Sequence, residues 1–117
     1  MRDTARKPVA LEDAEELEEF LEDRDVALVE FYTAGCSMCQ AMVPVLGNVT
    51  RATGVAVGLC NPGADVTLAD RFDVRSVPTL VLFRDGEETA RLADGFQQTG
   101  DVVAFLEEHV PETVNAE

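Results

Sequence analysis

The chain has 117 residues, which is enough for one domain with a single hydrophobic core. Its 23 acidic and 9 basic residues give a net charge of −14, which argues against nucleic acid and anionic membranes as partners. No apolar stretch is long enough to span a bilayer, and residues 1–8 lack the hydrophobic region of a signal peptide. We therefore expect a cytoplasmic domain, in which thiols stay reduced and a disulfide tends to be catalytic.

The balance of charged residues also bears on the source of the protein. The basic residues are almost all arginine, and Lys7 is the single lysine. Many carboxylates with little lysine are typical of proteins from a high-salt cytoplasm, where ions screen the repulsion between the charges. We therefore expect a halophilic source, and we interpret the acidic pairs at 15–16 and 18–19 as a solvated helix face.

The first predicted elements are a helix and a strand. The apolar face of the helix comprises Leu11, Ala14, Leu17, Phe20 and Leu21. Asp13 with Glu16 is positioned to cap the start of this helix. Residues 26–32 form an apolar run with almost no polar alternation, which predicts a strand covered on both faces.

Glu30 interrupts this apolar strand. A carboxylate is costly to bury in its charged form, so desolvation should raise the pKa of Glu30 towards neutrality. Because perturbed acids cluster at functional sites, Glu30 is a candidate proton acceptor. The structural alternative is a glutamate that contacts water and has no role.

Cys36 and Cys39 follow the strand with two residues between them and open the next helical pattern. The apolar positions of that pattern are Cys39, Met42, Val43, Leu46 and Val49. The N-terminus of a helix presents unpaired N–H groups and a positive dipole end, and both stabilise a thiolate at Cys36. Cys39, one turn further along, is placed to attack a mixed disulfide on Cys36, with Glu30 accepting its proton. We therefore interpret all three groups as catalytic, the alternative being two ordinary buried cysteines.

A metal centre is a weaker interpretation of the cysteines. A closed zinc site usually needs four Cys or His ligands, and the chain has three cysteines and one histidine. The histidine, His109, falls in the last turn of the final predicted helix, where it suits the negative helix end. We therefore expect no metal and no other bound cofactor.

The segment 55–60 predicts a second strand that ends at Cys60. If this strand is parallel to the first, Cys60 lies at the same sheet edge as Cys36, because the carboxyl ends of parallel strands meet at one edge. Cys60 is then either a third redox thiol or a small buried hydrophobe.

The second half of the chain predicts a helix over 66–72, strands over 79–84 and 87–92, and a last helix that opens at 100–101. The two strands are joined through Asp85-Gly86, a strong hairpin signal.

The resulting order α, β, α, β, α, β, β, α predicts a single α/β domain. Its central mixed β-sheet should carry helices on both faces. We expect a core over about residues 11–110, with loose terminal tails at 1–8 and 111–117.

The motifs of the chain follow one another in a specific order. They are a strand ending in Glu30-Phe31-Tyr32, the pair Cys36-x-x-Cys39, Pro44 in the next helix, Val77-Pro78-Thr79 before a strand, the hairpin Asp85-Gly86, and Gly95 before the last helix. In this order and spacing they resemble the thioredoxin family over about residues 11–110, and the resemblance implies the thioredoxin fold.

The resemblance also implies substrate-binding positions. Pro78 should have a cis peptide bond and face the dithiol, Val77 should pair its backbone with a bound peptide, and Gly95 should line the same groove. Gly35 takes the place of the family's tryptophan, which removes an aromatic wall and widens the surface that a partner contacts. The family's lysine beside the buried acid has no counterpart.

The activity that the resemblance implies is thiol–disulfide exchange, with reduction of disulfides in partner proteins. A thioredoxin reductase or another thiol reductant would restore the dithiol, and we expect a monomer. Because a proline in the motif makes the family's dithiol more reducing, Met38 in its place predicts a higher redox potential. A disulfide oxidase or isomerase and a non-catalytic interaction module therefore remain alternatives.

We predict that salt stabilises the protein. Raising KCl from about 0.1 M to about 2 M should increase Tm by about 5 °C or more, because screening reduces the repulsion among the carboxylates. Thermal unfolding followed by circular dichroism measures the shift. Full stability at low salt would contradict a halophilic source.

Overall fold

The structure is a computed structural model that describes residues 7–65 and 67–114. The predicted tail residues 1–6 and 115–117, and Val66 in the predicted third helix, lie outside the described residues. The elements, in chain order, are β1 (Val9–Leu11), α1 (Ala14–Glu22), β2 (Val26–Phe31), α2 (Ser37–Thr53), β3 (Ala56–Cys60), a short 3-10 helix (Pro62–Ala64), α3 (Thr67–Arg71), β4 (Thr79–Arg84), β5 (Glu87–Leu92), α4 (Thr99–His109) and α5 (Pro111–Val114). Every predicted element is present, and β1, the 3-10 helix and α5 are additions to the predicted order.

The strands form one mixed sheet in the order β1-β3-β2-β4-β5. β1 and β2 run parallel to β3, whereas β4 is antiparallel to β2 and β5 is antiparallel to β4. β2 is thus the central strand, and every residue after its first is buried. Burial on both faces explains why this segment is an apolar run without polar alternation.

Helices cover both faces of the sheet, as the sequence predicts. Side chains alternate along β2, so Val29 and Phe31 belong to one core cluster and Leu28 belongs to the other. The first cluster includes Leu17 and Phe20 of α1 and Leu68 of α3. The second includes Met42 and Leu46 of α2 and Phe105 and Leu106 of α4. By the same alternation, Glu30 lies on the face that α2 and α4 cover.

Leu11 is a correction to the predicted first helix. Asp13 is the N-cap of α1 and its Oδ1 accepts the N–H of Glu16 at 2.9 Å, which confirms the predicted cap and starts the helix at Ala14. Leu11 instead ends β1, where it is in register with Cys60 and is still buried. A strand of three residues is too short to give a periodic pattern.

Two further regions differ from the expected pattern. Part of the predicted C-terminal tail forms α5, which an ion pair between Glu112 and Arg84 connects to β4. Val43, predicted on the buried face of α2, is exposed. It follows the buried Met42 and is rotated by about 100° around the helix axis from it, which takes it off the core face.

The hairpin between β4 and β5 is confirmed. Asp85 and Gly86 have φ angles of 54° and 81°, so both are left-handed. Two consecutive left-handed residues are what a type I′ turn requires, and Asp-Gly suits it.

We predict that Gly58 in β3 does not tolerate a side chain. A Cβ there would lie 2.5 Å from Cδ1 of Leu11 and 3.2 Å from Cε2 of Phe20. Gly58→Ala should therefore lower the free energy of unfolding by about 1–3 kcal/mol, because overpacking forces neighbouring side chains to move. Urea denaturation followed by circular dichroism measures the change.

Gly100→Ala in α4 is the matched control, since no described atom outside the adjoining helix backbone lies within 4 Å of a Cβ at that position. Alanine favours helix more than glycine, so this variant should keep its stability or gain up to about 1 kcal/mol. Equal losses in the two variants would contradict overpacking at Gly58.

Candidate active site at the start of α2

Cys36 and Cys39 form a disulfide at the N-terminus of α2, with their Cα atoms 5.2 Å apart. Cys36 is the N-cap residue, and its Sγ accepts the backbone N–H of Cys39 at 3.1 Å. Cys36 is partly exposed, whereas Cys39 is 3% exposed. The two sulfurs are therefore not equivalent: one is open to a partner and has a helix N–H directed at it, and the other is buried.

The turn before Cys36 is open to solvent. The N–H of Cys36 donates to the carbonyl of Thr33 at 3.4 Å, and Gly35 has a left-handed φ of 81°. Apart from the two neighbouring residues, no described atom lies within 4 Å of the position of a Cβ on Gly35. The place where the resemblance leads one to expect an aromatic side chain is therefore open space.

Glu30 is buried in β2, with 1% of its surface exposed. Its Oε2 has no hydrogen-bond partner among the described residues. Burial raises the pKa of Glu30 from 4.5 to about 8, as expected for a carboxylate taken out of water without a compensating charge. The residue in register with Glu30 on β3 is Leu59, which is apolar.

Glu30 and Cys39 line one cavity of about 240 Å³. Tyr32, Gln40, Val43 and Leu59 also line it. The cavity is large enough to hold water, so a proton can pass between the acid and the thiol without direct contact between them. Tyr32 and Gln40 are additions to the site predicted from the sequence. The sequence does indicate Tyr32, because it follows Glu30 by two residues and so points to the same face of the strand. No feature of the sequence indicates Gln40.

Pro78 follows a cis peptide bond after Val77, as the family resemblance implies. It immediately precedes β4, where Thr79 is in register with Phe31 at the end of β2. Thr79 is buried, and its hydroxyl donates to the carbonyl of Ser76 at 2.6 Å. The loop before Pro78 is therefore held at the sheet edge from which the chain leaves β2 towards Cys36.

An open groove of about 490 Å³ lies beside this loop, lined by Thr33, Pro62, Val74, Arg75 and Val77 among others. Arg75 is the only charged residue among the described residues that line the groove. Its Nε lies 2.8 Å from Oδ1 of Asp73. The groove is wide and mostly apolar, as a site for an extended peptide would be.

Gly95 lies beside the dithiol helix. Its φ is 84°, and a Cβ there would be 3.8 Å from Sδ of Met38. The backbone N–H of Gln97 donates to Sδ of Met42 at 3.3 Å, which holds this loop against α2. Met38 is thus a further residue of the site, and no local sequence signal reveals that it lies close to a loop so far along the chain.

Cys60 is buried at the end of β3, with 1% of its surface exposed. β3 is parallel to β2, so Cys60 does end at the predicted sheet edge. Burial, with smaller contributions from Asp65 and Asp13, raises the pKa of its thiol from 9.0 to about 11. These properties favour the packing interpretation of Cys60 over a role as a thiolate.

Within residues 7–65 and 67–114, no three His, Cys, Asp or Glu residues gather as metal ligands do. No helix in that part of the chain is both long and apolar enough to cross a membrane.

We predict that Glu30 makes stability depend on pH. Because the pKa of Glu30 is higher in the folded protein, its contribution to stability is complete below about pH 4.5 and is lost as the pH rises towards 8. In the wild type, the free energy of unfolding should decline by up to about 1.4 kcal/mol per pH unit in that window. Glu30→Gln should remove this decline, because glutamine does not ionise. Urea denaturation of the disulfide-bonded proteins from about pH 5 to pH 9 measures the difference.

Glu19→Gln on α1 is the matched control, because Glu19 is exposed. It should keep the wild-type dependence on pH. Parallel stability curves for the wild type and Glu30→Gln would contradict a raised pKa.

The family model for thioredoxin matches residues 8–108. A thioredoxin of Chlamydia pneumoniae is 35% identical over 68 residues, which are 57% of this chain and 67% of that protein. A protein disulfide-isomerase A6 homolog of Drosophila melanogaster is 35% identical over 88 residues, which are 74% of this chain and 20% of that protein.

A solved structure of a mutant thioredoxin from Halobacterium salinarum NRC-1 is similar over 93% of this chain and 96% of its own, with a TM-score of 0.84 and 31% identity. This likeness confirms the predicted thioredoxin fold. The match of the family model to most of the chain, with a disulfide-bonded Cys-x-x-Cys at the start of α2, shows that the chain belongs to the thioredoxin family and is a thiol–disulfide oxidoreductase that acts as a protein-disulfide reductase.

Proposed function

We propose that the chain reduces partner disulfides with Cys36 as the attacking thiolate and Cys39 as the resolving thiol. The observation that carries this assignment is the asymmetry of the pair. Cys36 is partly exposed and accepts a helix N–H at 3.1 Å, whereas Cys39 is 3% exposed. A partner sulfur can therefore reach Cys36, and the N-terminus of α2 stabilises the thiolate there.

The reaction starts from the dithiol form. The Cys36 thiolate attacks one sulfur of the partner disulfide, and the other partner sulfur leaves as a thiolate. Cys39 then loses its proton and attacks Sγ of Cys36, which forms the Cys36–Cys39 disulfide and releases the first partner sulfur as a thiolate. Two electrons pass to the partner in this sequence, and the thiols alone carry them.

Glu30 is the proposed acceptor of the Cys39 proton. Both groups line the same cavity, which can hold the water needed for transfer. Burial raises the pKa of Glu30 to about 8, close to the ordinary pKa of a cysteine thiol. The resolving step should therefore become faster as the pH rises towards 8, because only the ionised carboxylate accepts a proton.

The partner's chain is proposed to lie along Val77 and Pro78 on one side and Gly95 on the other, with Gly35 at the entrance to Cys36. The groove beside Val77 supports this assignment, since it is open and mostly apolar. The open space at Gly35 also supports it, because a partner can approach Cys36 there without displacing a side chain. For Cys60, burial and a raised pKa support a packing role and not a third redox thiol.

The proposed partners are proteins that contain disulfides, and a thioredoxin reductase or other thiol reductant that restores the dithiol. We propose that the protein acts as a monomer in the cytoplasm of a salt-adapted organism. The net charge of −14 and the similarity to a thioredoxin of Halobacterium salinarum support the salt adaptation. The same charge disfavours nucleic acid and anionic membranes as partners.

A disulfide oxidase or isomerase is the second candidate. Ser37-Met38 between the cysteines and the similarity to a protein named as a disulfide-isomerase homolog favour it. Equilibration of the Cys36–Cys39 pair with graded thiol–disulfide buffers at high salt gives its redox midpoint, which distinguishes a reductase from an oxidase or isomerase. A midpoint near about −270 mV supports a reductase, and one between about −180 and −120 mV supports an oxidase or isomerase. The lack of a reversible transition would support a non-catalytic module.

We predict that variants of the two cysteines fail at different steps. Cys39→Ser should trap Cys36 in a mixed disulfide with a protein substrate such as insulin, because no thiol remains to release it. Cys36→Ser should abolish both turnover and trapping, because Cys39 is buried. Non-reducing electrophoresis and mass spectrometry of the trapped species measure both outcomes.

Cys60→Ala is the matched control for these variants. It should reduce insulin at the wild-type rate, since its thiol is buried and its pKa is raised. A mixed disulfide through Cys39 in the Cys36→Ser variant would refute the roles assigned to the two cysteines. Loss of turnover in Cys60→Ala would instead support a redox role for Cys60.

A further inference from the structure

The loop between α3 and β4 carries residues that a partner is proposed to meet. It runs over residues 72–78 and contains neither helix nor strand. Among the described residues, no backbone–backbone hydrogen bond holds residues 74–78. The shape of the loop therefore depends on the contacts at its two ends. Four of its residues line the open groove of about 490 Å³, namely Val74, Arg75, Ser76 and Val77.

The two ends of this loop are held differently. At its end, the hydroxyl of Thr79 donates to the carbonyl of Ser76 at 2.6 Å. At its start, Asp73 has a left-handed φ of 54°. Residues other than glycine adopt this conformation at a cost, and it persists where the surrounding structure holds it. The start of the loop therefore needs contacts that fix the chain as it leaves α3.

Arg91 of β5 makes these contacts. Its Nη2 donates to the carbonyl of Phe72 at 2.7 Å, and its Nη1 donates to the carbonyl of Asp73 at 3.1 Å. Nε and Nη2 also donate to the two carboxylate oxygens of Glu88, at 2.6 and 2.7 Å. The side chain of Arg91 is 27% exposed, so these bonds are partly shielded from water. A planar guanidinium can make all four bonds at once, whereas the three-donor ammonium of a lysine cannot.

The sheet explains how a residue of β5 reaches the end of α3. Arg91 is in register with Val81 of β4, and register partners on neighbouring strands point to the same face of a sheet. Val81 belongs to the core cluster that α1 and α3 cover, so Arg91 lies on that face as well. The pair with Glu88 fixes the guanidinium on its own strand, and the other donors then meet the loop.

We propose that Arg91 is a positioning residue, which holds the start of the 72–78 loop so that Val77 meets a partner's chain in one conformation. This inference rests on the proposed function, because it needs a partner that lies along Val77. Arg91 is not among the described residues that line the groove or the cavity of Glu30. Its loss should therefore weaken the binding of protein substrates and leave the chemistry of the dithiol unchanged.

The test compares Arg91→Met with the matched control Arg84→Met. Methionine keeps much of the apolar stem of arginine and removes all of its donors. Arg84 lies at the far end of β4, where it pairs with Glu112 and is in register with Glu87. Each variant loses one positive charge, which changes the net charge from −14 to −15. Any effect of charge alone is therefore the same in both.

The substrates are insulin and hydroxyethyl disulfide, which has no peptide chain, with dithiothreitol as the reductant. Arg91→Met should raise KM for insulin by about three- to tenfold and change kcat by less than about twofold. Its kcat/KM for hydroxyethyl disulfide and its redox midpoint against glutathione should equal those of the wild type. Arg91→Lys keeps the charge without the planar fork, so it should show the same selective effect at a smaller size.

Limited digestion with trypsin measures the order of the loop itself. The bond after Arg75 lies in the loop, whereas the bond after the exposed Arg51 lies in the last turn of α2. In Arg91→Met, cleavage after Arg75 relative to cleavage after Arg51 should become about threefold faster or more, because the start of the loop is released. Mass spectrometry of the fragments gives both rates.

A higher KM for insulin in both Arg91 variants but not in Arg84→Met, with faster cleavage after Arg75, would support the proposal. Equal kinetics in Arg91→Met and Arg84→Met, or unchanged cleavage after Arg75, would overturn it and leave the proposed function intact. A loss on both substrates with a shifted midpoint would also overturn it, because Arg91 would then act on the dithiol. A wild-type protein that reduces neither substrate would overturn the proposed function and this inference with it.

Discussion

The burial of β2 at the centre of the sheet is the constraint on which the rest of the structure depends. Strands flank β2 on both sides and helices cover both faces, so its side chains are apolar with the exception of Glu30. A short turn over residues 32–36 joins β2 to α2 and puts Cys36 at a helix N-terminus. The register between Phe31 and Thr79 brings Pro78 to the same end. Cys36, the loop before Pro78 and Glu30 are therefore all positioned by one strand.

The parts of this arrangement that depend on local pattern could be predicted from the sequence. The apolar run of β2, the helical period of α2 and the Asp85-Gly86 turn each carry their own signal, and so does Cys36 at the junction of strand and helix. β1 and α5 are too short for a period to show, so the apolar pattern extends the predicted helix to Leu11. Met38 and Gly95 are far apart in sequence, and only the packed structure reveals that they lie close together.

At Glu30 the proposed role in proton transfer and the stability of the fold make opposite demands. The register partner of Glu30 on β3 is Leu59, and no described residue donates a hydrogen bond to Oε2. Burial therefore raises the pKa of Glu30, and no hydrogen bond to Oε2 lowers it again. A carboxylate with so high a pKa can take a proton from a thiol, which an exposed glutamate would do poorly. The same property means that ionisation of Glu30 costs folding free energy. The proposed role of Glu30 as a proton acceptor thus depends on the poor solvation of its charged form.

This chain has Gly35 and Met38 where the family has tryptophan and proline. The two differences change the distribution of apolar surface around Cys36. Gly35 leaves open space before Cys36, and Met38 puts an exposed apolar side chain after it. A thioether side chain is unbranched and adaptable, so it can pack against apolar groups of different shape. The acidic surface of the domain adds little to this at a distance in concentrated salt, because ions screen the repulsion between like charges. Under such conditions apolar contact at short range contributes more to an encounter than charge does, and it requires no deep pocket.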